Sequence, residues 1–255
     1  MLELVNLRDA ARAAAFATMV CVVGSVEATV LTQWNFNTAL GVNNTPAPSV
    51  GAGSATPVGM NGGLNNADIG NATGSSDPDA PNRHWRVRGS QSNGWSGTTQ
   101  LLSGAQFNAS TAGFQDIVVS LDLFATDGSP RHAQFQYTLD GTSFTSFGGI
   151  LDFNATSDAW ANGLNFNLSS IVGANNNPNL GFKIVSAFSP VQFTNANGVQ
   201  PANSAFQRTS AELQVYNGTA GNYRFDMVTF SGNVIPAPGA AVVVLGGLWI
   251  ARRRR

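Results

Sequence analysis

The sequence of 255 residues has one cysteine, one lysine and little charge of either sign. Its charged fraction is 11%, whereas about a quarter of the residues are charged in an average soluble domain. The single cysteine, Cys21, lies in an N-terminal apolar segment that we expect to be removed. The mature chain then has no thiol, which excludes a disulfide framework, a thiolate metal site and a cysteine nucleophile.

Positive charge is too sparse for a nucleic-acid partner. Between residues 29 and 235 there are seven basic side chains against eleven acidic ones, a net charge of about −4. Binding to nucleic acid needs clustered Lys and Arg that displace the counterions of the phosphates. The densest basic stretch, RHWRVR at 83–88, is instead predicted to be a strand with an exposed cationic face.

Groups for catalysis are equally scarce, so we predict that the protein is not an enzyme. His84 and His132 are the only histidines, and neither lies in a motif with a nucleophile. Glu212 is the only glutamate beyond the N-terminal segment, and no aspartate stands out as an acid catalyst. Zinc would need three or four His, Cys or carboxylate ligands at short spacing, a pattern that the sequence lacks.

Residues 1–28 have the layout of a secretory signal peptide. Arg8 and Arg12 precede an uncharged stretch at 13–26, and Val26-Glu27-Ala28 supplies a small-residue cleavage pattern. This uncharged stretch is too short to cross a bilayer as a helix, which takes about 20 residues. We therefore predict a signal helix that is cleaved after Ala28, and export of the remaining chain.

The C-terminal segment, 233–255, ends in a short apolar run followed by four arginines. The run at 239–251 has no charge, and as a helix it would be about 20 Å long, short of a hydrocarbon core of about 30 Å. The positive cluster of Arg252, Arg253, Arg254 and Arg255 should stay on the cytoplasmic side. The segment is thus predicted to be a transmembrane helix that stops translocation, and an unprocessed tail anchor is the alternative.

The order of these elements resembles the PEP-CTERM sorting signal of exported bacterial proteins. The resemblance is carried by the apolar helix, the arginines and the motif residues Pro236, Ala237, Pro238 and Gly239. It implies transient residence in the inner membrane, processing by an exosortase-like enzyme, and delivery to the cell surface or the extracellular space. Ala237 stands where the motif that names the family has Glu, so the processing hypothesis depends most on this residue.

Residues 29–232 are predicted to form an all-β domain, an antiparallel β-sandwich of jelly-roll type. In the stretch 114–125, apolar residues alternate with polar ones, and Asp140-Gly141 supplies the turn of a hairpin over 132–147. Further strands are predicted at 29–37, 180–188, 210–216 and 222–231. The segment 41–82 is rich in Gly, Asn and Pro and is predicted to be a loop insertion.

Three stretches resemble a β-sandwich module of exported proteins, and more broadly the galactose-binding-like jelly rolls. They are FQYTLDGTSF, NNNPNLGFKIVSAF and YRFDMVTFSG. The resemblance implies a domain of the kind that often binds sugars or holds a structural Ca²⁺. It concerns the fold, and a fold alone does not define a function.

Two kinds of candidate site follow from residue types. Asp77, Asp79 and Asp226 offer the oxygen ligands that Ca²⁺ prefers, although aspartates beside Pro or Gly are also ordinary turn formers. Trp85 and Trp95 form one candidate platform for a sugar ring and Trp160 another, although tryptophan in a sandwich often covers the core. The sequence therefore leaves two functions open: a structural or interaction protein of the cell surface, and a carbohydrate-binding module for extracellular polysaccharide.

Overall fold

The computed structural model describes residues 28–38, 40–59, 67–71, 73–88, 95–153, 158–209, 213–219 and 221–236. These ranges contain strands and one 3₁₀ turn (Val172–Ala174). The strands are β1 Thr29–Trp34, β2 Gly41–Val42, β3 Gly53–Val58, β4 Ala67–Asn71, β5 Arg83–Arg88, β6 Gly104–Ala109, β7 Phe114–Ala125, β8 His132–Thr138, β9 Phe144–Ser146, β10 Leu151–Asp152, β11 Ala159–Asn167, β12 Gly181–Ala187, β13 Phe193–Asn195, β14 Gly198–Gln200 and β15 Asn222–Val234.

The predicted signal helix and the predicted C-terminal helix lie outside the described residues, as do Ala237, Pro238, Gly239 and the four terminal arginines. Ala28, the predicted cleavage residue, is described and exposed directly before β1. Pro236 is described and exposed two residues after β15. In the described part of the chain, no helix has the length and apolar character that crossing a membrane requires.

Thirteen of the fifteen described strands form two packed antiparallel sheets, which confirms the predicted sandwich, and β13 and β14 pair separately with each other. The seven-stranded sheet has the order β11-β7-β15-β5-β4-β2, with β1 also paired to β15. The six-stranded sheet has the order β10-β8-β12-β6-β3, with β9 paired to β8. The long strands β6, β7, β8, β11, β12 and β15 lie alternately in one sheet and the other, which is the connectivity of a jelly roll.

The core lies between the two sheets and is built largely from aromatic side chains. Phe107 of the six-stranded sheet has its ring 5.4 Å from Trp34, 5.7 Å from Trp85 and 5.6 Å from Phe225, all in the seven-stranded sheet. Because successive side chains of a strand point to opposite faces, β7 buries Ile117 and its alternate neighbours, as predicted. These inward rows leave the intervening residues on the outer faces.

The segment 41–82 is not the loop that its composition predicts, because it supplies β2, β3 and β4. Strand β3 pairs with β6 at the edge of the six-stranded sheet, where Pro57 is tolerated. A side chain at Gly53 would lie 2.7 Å from the Trp34 ring, so the small residue makes room for the core. The predicted strand at 210–216 is also wrong for its described part, since residues 213–216 form turn and coil.

We expect Gly51→Ala to destabilise the sandwich far more than Gly113→Ala. Both glycines have positive φ, at +72° and +83°, so both changes carry the same backbone strain of about 1 kcal/mol. At Gly51 the new Cβ would also lie 2.0 Å from the Leu31 carbonyl oxygen, whereas nothing lies within 4 Å at Gly113. Urea unfolding should show an additional loss of about 2 kcal/mol or more for Gly51→Ala. Equal losses in the two variants would contradict the close approach at Gly51.

Candidate functional site

The outer face of the seven-stranded sheet carries one continuous row of side chains across five strands. Trp160 of β11 pairs in register with Phe124 of β7, which pairs with Arg224 of β15. Arg224 pairs with Arg86 of β5, and Arg86 pairs with Asp68 of β4. With neighbouring strands about 4.8 Å apart, this aromatic–arginine row is about 19 Å long.

Trp160 lies at the edge end of the row and is half-buried. Its Nε1–H donates to the Thr73 carbonyl at 3.2 Å, which fixes the orientation of the indole. Its ring meets Phe124 edge-on at 5.4 Å between centroids and lies 6.2 Å from His84. Part of the indole therefore remains accessible while the rest is held by the protein.

Trp85 and Trp95 are core residues, so the carbohydrate platform predicted on them is wrong. Trp85 is fully buried, and its Nε1–H donates to the Asn43 carbonyl at 2.8 Å. Trp95 is 3% exposed and packs against Tyr223 with ring centroids 4.6 Å apart. Neither indole face can meet a ligand, and Trp160 is the one of these three tryptophans that reaches the surface.

The two arginines of the row differ in their partners. Arg86 makes two charge-assisted hydrogen bonds to the Asp68 carboxylate, one of them at 2.6 Å from Nε to Oδ1. Arg224 lies with its guanidinium carbon 4.4 Å from the centre of the Phe124 ring and donates from Nε to Asn222. Partial burial, and then the neighbouring charge of Arg86, lower the pKa of Arg224.

Next to the row, segment 73–82, the strap, covers an acidic cluster of Asp77, Asp122 and Asp226. Asp122 and Asp226 are paired in register on β7 and β15. Ser75 Oγ lies 2.6 Å from Asp226 Oδ2, and the Ser76 N–H donates to Asp122 Oδ2 at 2.5 Å. Burial, followed by the charges of Asp77 and Asp122, raises the pKa of Asp226 to about 7.

The described residues do not assemble the predicted Ca²⁺ site. They contain no group of three or more His, Cys, Asp or Glu side chains arranged to hold a metal ion. Asp79 is exposed and contributes its backbone N–H to Asp77 Oδ1. The other Asp77 oxygen accepts from Asn37, and the oxygens of Asp122 and Asp226 accept from Ser75, Ser76, Gly163 and Met227. The carboxylates thus serve as acceptors for protein donors, as the turn-forming alternative predicts in the case of Asp77.

No sequence motif marks Phe124, Arg224 or Asp122 as a site residue. Each lies between inward-facing residues of a strand, so its position on an outer face follows from the alternation alone. That these positions meet depends on the register of β7 against β15, which no local pattern encodes. Only the pairing of the strands brings the row together.

The chain is therefore an antiparallel β-sandwich with jelly-roll connectivity and an aromatic–arginine row on one outer face. No protein-family model matches it, and no curated protein does. Among solved structures it is similar to a chain described as SGBP-B from a complex xyloglucan utilization locus in Bacteroides uniformis, with a TM-score of 0.33 and 9% identity. The likeness covers 82% of this chain and 66% of that one, and at this level it says nothing about what this chain binds.

Proposed function

We propose that the protein is an exported, cell-surface or extracellular protein whose β-sandwich binds polysaccharide through the aromatic–arginine row. The observation that carries the proposal is the accessible indole of Trp160, fixed at one end of a line of groups that leads to Arg224. A sugar ring has an apolar face of C–H bonds and an edge of hydroxyl groups. An aromatic ring packs against the C–H face, and guanidinium and amide groups form hydrogen bonds with the hydroxyl groups.

The surroundings of Trp160 fit such a ligand. Asn162 is exposed two residues along β11, where its Nδ2–H donates to the Gly74 carbonyl and its Oδ1 faces no donor among the described hydrogen bonds. A side chain at Gly74 would lie 3.0 Å from the Trp160 ring, so glycine keeps the strap close without displacing the indole. Trp160 and Arg224 are half-buried on either side of the buried Phe124 ring, on the outer surface of a sheet. Such an open site suits a long polymer better than a small enclosed molecule.

The location outside the cell is part of the same proposal and is supported by both ends of the sandwich. Ala28 and Pro236, at the predicted cleavage point and the start of the predicted sorting motif, are exposed beside β1 and β15. Directly before the motif, the Ile235 N–H donates to the Gly113 carbonyl at 2.9 Å. Pro236, the first residue of the motif, is therefore accessible to a processing enzyme such as an exosortase while the sheet stays folded.

Mass spectrometry of the C-terminal peptide tests the sorting part of the proposal. We expect the protein recovered from the cell surface to lack Arg252, Arg253, Arg254 and Arg255, because processing removes the tail after the Pro-Ala-Pro-Gly motif has been recognised. The membrane fraction supplies the control, since the unprocessed precursor there should keep all four arginines. Intact arginines on the surface form would support a permanent tail anchor instead.

A glycan array with matched aromatic variants tests the binding part. Trp160→Ala is expected to lower the affinity for the retained glycan by about tenfold or more, because a tryptophan at a binding surface usually contributes a large share of the binding energy. Phe144→Ala is the control, since Phe144 is a half-buried aromatic on the outer face of the six-stranded sheet, also next to a cation. If the wild type retains no glycan, the structural or interaction role stands in place of carbohydrate binding. If both variants weaken binding equally, the aromatic–arginine row is not the binding site.

A further inference from the structure

We propose that the polysaccharide recognised by the aromatic–arginine row is anionic, with carboxylate or sulfate groups that bind Arg224. This inference rests on the proposed function and specifies its ligand class. Three arginines lie on the outer face of the seven-stranded sheet. Arg86 and Arg88 are on β5, and Arg224 is on β15, the strand between β5 and β7. They are three of the seven basic side chains between residues 29 and 235, and they share this face with Asp68, Asp122 and Asp226.

Only one of these three arginines is neutralised by a close carboxylate. Asp68 engages Arg86 through both carboxylate oxygens. Among the described residues, Arg86, Arg131 and Arg208 each form an ion pair with an aspartate. Neither Arg224 nor Arg88 has a described carboxylate within ion-pair distance. Two guanidinium groups are therefore left to receive an anion from outside the protein.

The position of Arg224 prepares it for this role. The Phe124 ring supports one face of the guanidinium at 4.4 Å, and Asn222 accepts from Nε, so the head group is held flat against the sheet. Holding the fork in place reduces the ordering cost when it forms paired hydrogen bonds with a carboxylate or sulfate. The group is also half-buried, so an incoming anion would meet it in a medium less screened than open water.

The acidic residues nearby do not cancel this charge. Asp122 and Asp226 lie on the same face but beneath the strap, where they accept hydrogen bonds from Ser75 and Ser76. Asp158 is exposed near Trp160, and its charge is screened by solvent. Burial first, and then the charge of Arg86, lower the pKa of Arg224, whereas the charges of Asp158 and Asp68 raise it.

The spacing along the row corresponds to a short stretch of a polysaccharide chain. Trp160 and Arg224 lie two strands apart, with Phe124 between them, a separation of about 10 Å. A polymer with one ring stacked on the indole would therefore reach the guanidinium about two sugar units further along its chain. The class of ligand is a polymer in which acidic groups recur along the chain.

Binding of three polymers to the full-length chain tests the inference: alginate as a polyuronate, dextran sulfate, and neutral dextran. We expect at least one charged polymer to bind tenfold or more tightly than dextran, and the affinity to fall as salt is raised from 20 to 300 mM, because the ion pairs are partly exposed. Alginate binding without dextran sulfate binding would identify carboxylate as the recognised group, and the converse would identify sulfate.

Paired substitutions assign the effect to the row. Arg224→Gln should weaken binding of the charged polymer by about tenfold, whereas Arg224→Lys should keep part of it because the charge remains and the fork is lost. Lys183→Gln is the matched control: Lys183 lies 4.2 Å over the Phe144 ring on the outer face of the other sheet. Tighter binding of dextran, unaffected by Arg224→Gln, would overturn this inference and leave carbohydrate binding intact. Absence of binding to any polymer or arrayed glycan would overturn both.

Discussion

Trp85→Ala is expected to lower the free energy of unfolding by about 3–5 kcal/mol, a large part of the stability of an ordinary domain. Trp85 is fully buried, stacks on Phe36 with centroids 6.1 Å apart and meets Phe107 edge-on at 5.7 Å. Removing the indole leaves a cavity between the two sheets, where the neighbouring rings cannot collapse without breaking strand pairs. The Asn43 carbonyl also loses its donor, at a cost of about 1 kcal/mol.

Urea unfolding of three variants separates these contributions. Trp85→Phe keeps a ring in the core and loses the hydrogen bond, so we expect a loss of about 1–2 kcal/mol. Trp160→Ala removes a half-buried indole at the sheet edge. It should lower the free energy of unfolding less than Trp85→Ala does, but it should weaken ligand binding. If Trp85→Ala unfolds like the wild type but loses glycan binding, the platform prediction for Trp85 would be restored and the assigned core would be wrong.

The contrast between Trp85 and Trp160 shows what the sequence could reveal. In RHWRVR the flanking arginines suggested an exposed tryptophan, but strand alternation puts Trp85 and Val87 on one face and Arg86 on the other. The period of two was therefore the better guide than the neighbouring charges. The same period of two correctly predicted the buried face of β7. In β5 and in β7 the alternation can be read from neighbouring residues alone.

Strand β3 and the aromatic–arginine row could not be predicted in this way. Gly53–Val58 has no apolar alternation, and its pairing with β6 is made by backbone groups that every residue except proline supplies in full. Arg224 meets Phe124 only because β15 and β7 pair in one register across a long sequence separation. Register depends on the assembled core, so composition and local pattern leave it undetermined.

Asp226→Asn is expected to stabilise the protein by about 3–4 kcal/mol at pH 8, and by less than about 1 kcal/mol at pH 4. In the folded protein the pKa of Asp226 is raised from 3.8 to about 7, chiefly by burial. A carboxyl with a higher pKa in the folded state takes up a proton on folding. The wild-type stability contributed by this group is therefore present below about pH 4 and is lost as the pH rises to about 7.

Asparagine fits the position because the surrounding hydrogen bonds can be kept. Its Oδ1 can accept from the Met227 N–H, as Asp226 Oδ1 does at 2.8 Å. Its Nδ2 can donate to Ser75 Oγ, and the Ser75 hydroxyl is then free to donate to Asn82 Oδ1, 3.1 Å away. The substitution therefore removes a buried charge without leaving an orphaned polar atom.

Thermal and urea unfolding between pH 4 and pH 8 would measure the difference between wild type and Asp226→Asn. Burial also lowers the pKa of His84 and His132 to about 4, which makes stability rise with pH in the lower part of this range, but that effect is common to both chains and cancels in the difference. Asp79→Asn is the control, because Asp79 is exposed and should leave the profile unchanged. A constant difference across the pH range would contradict a raised pKa at Asp226. Suppose instead that the variant is destabilised and that EDTA lowers the wild-type melting temperature. The acidic cluster would then bind a cation, and that ion, rather than protonation of Asp226, would compensate its negative charges.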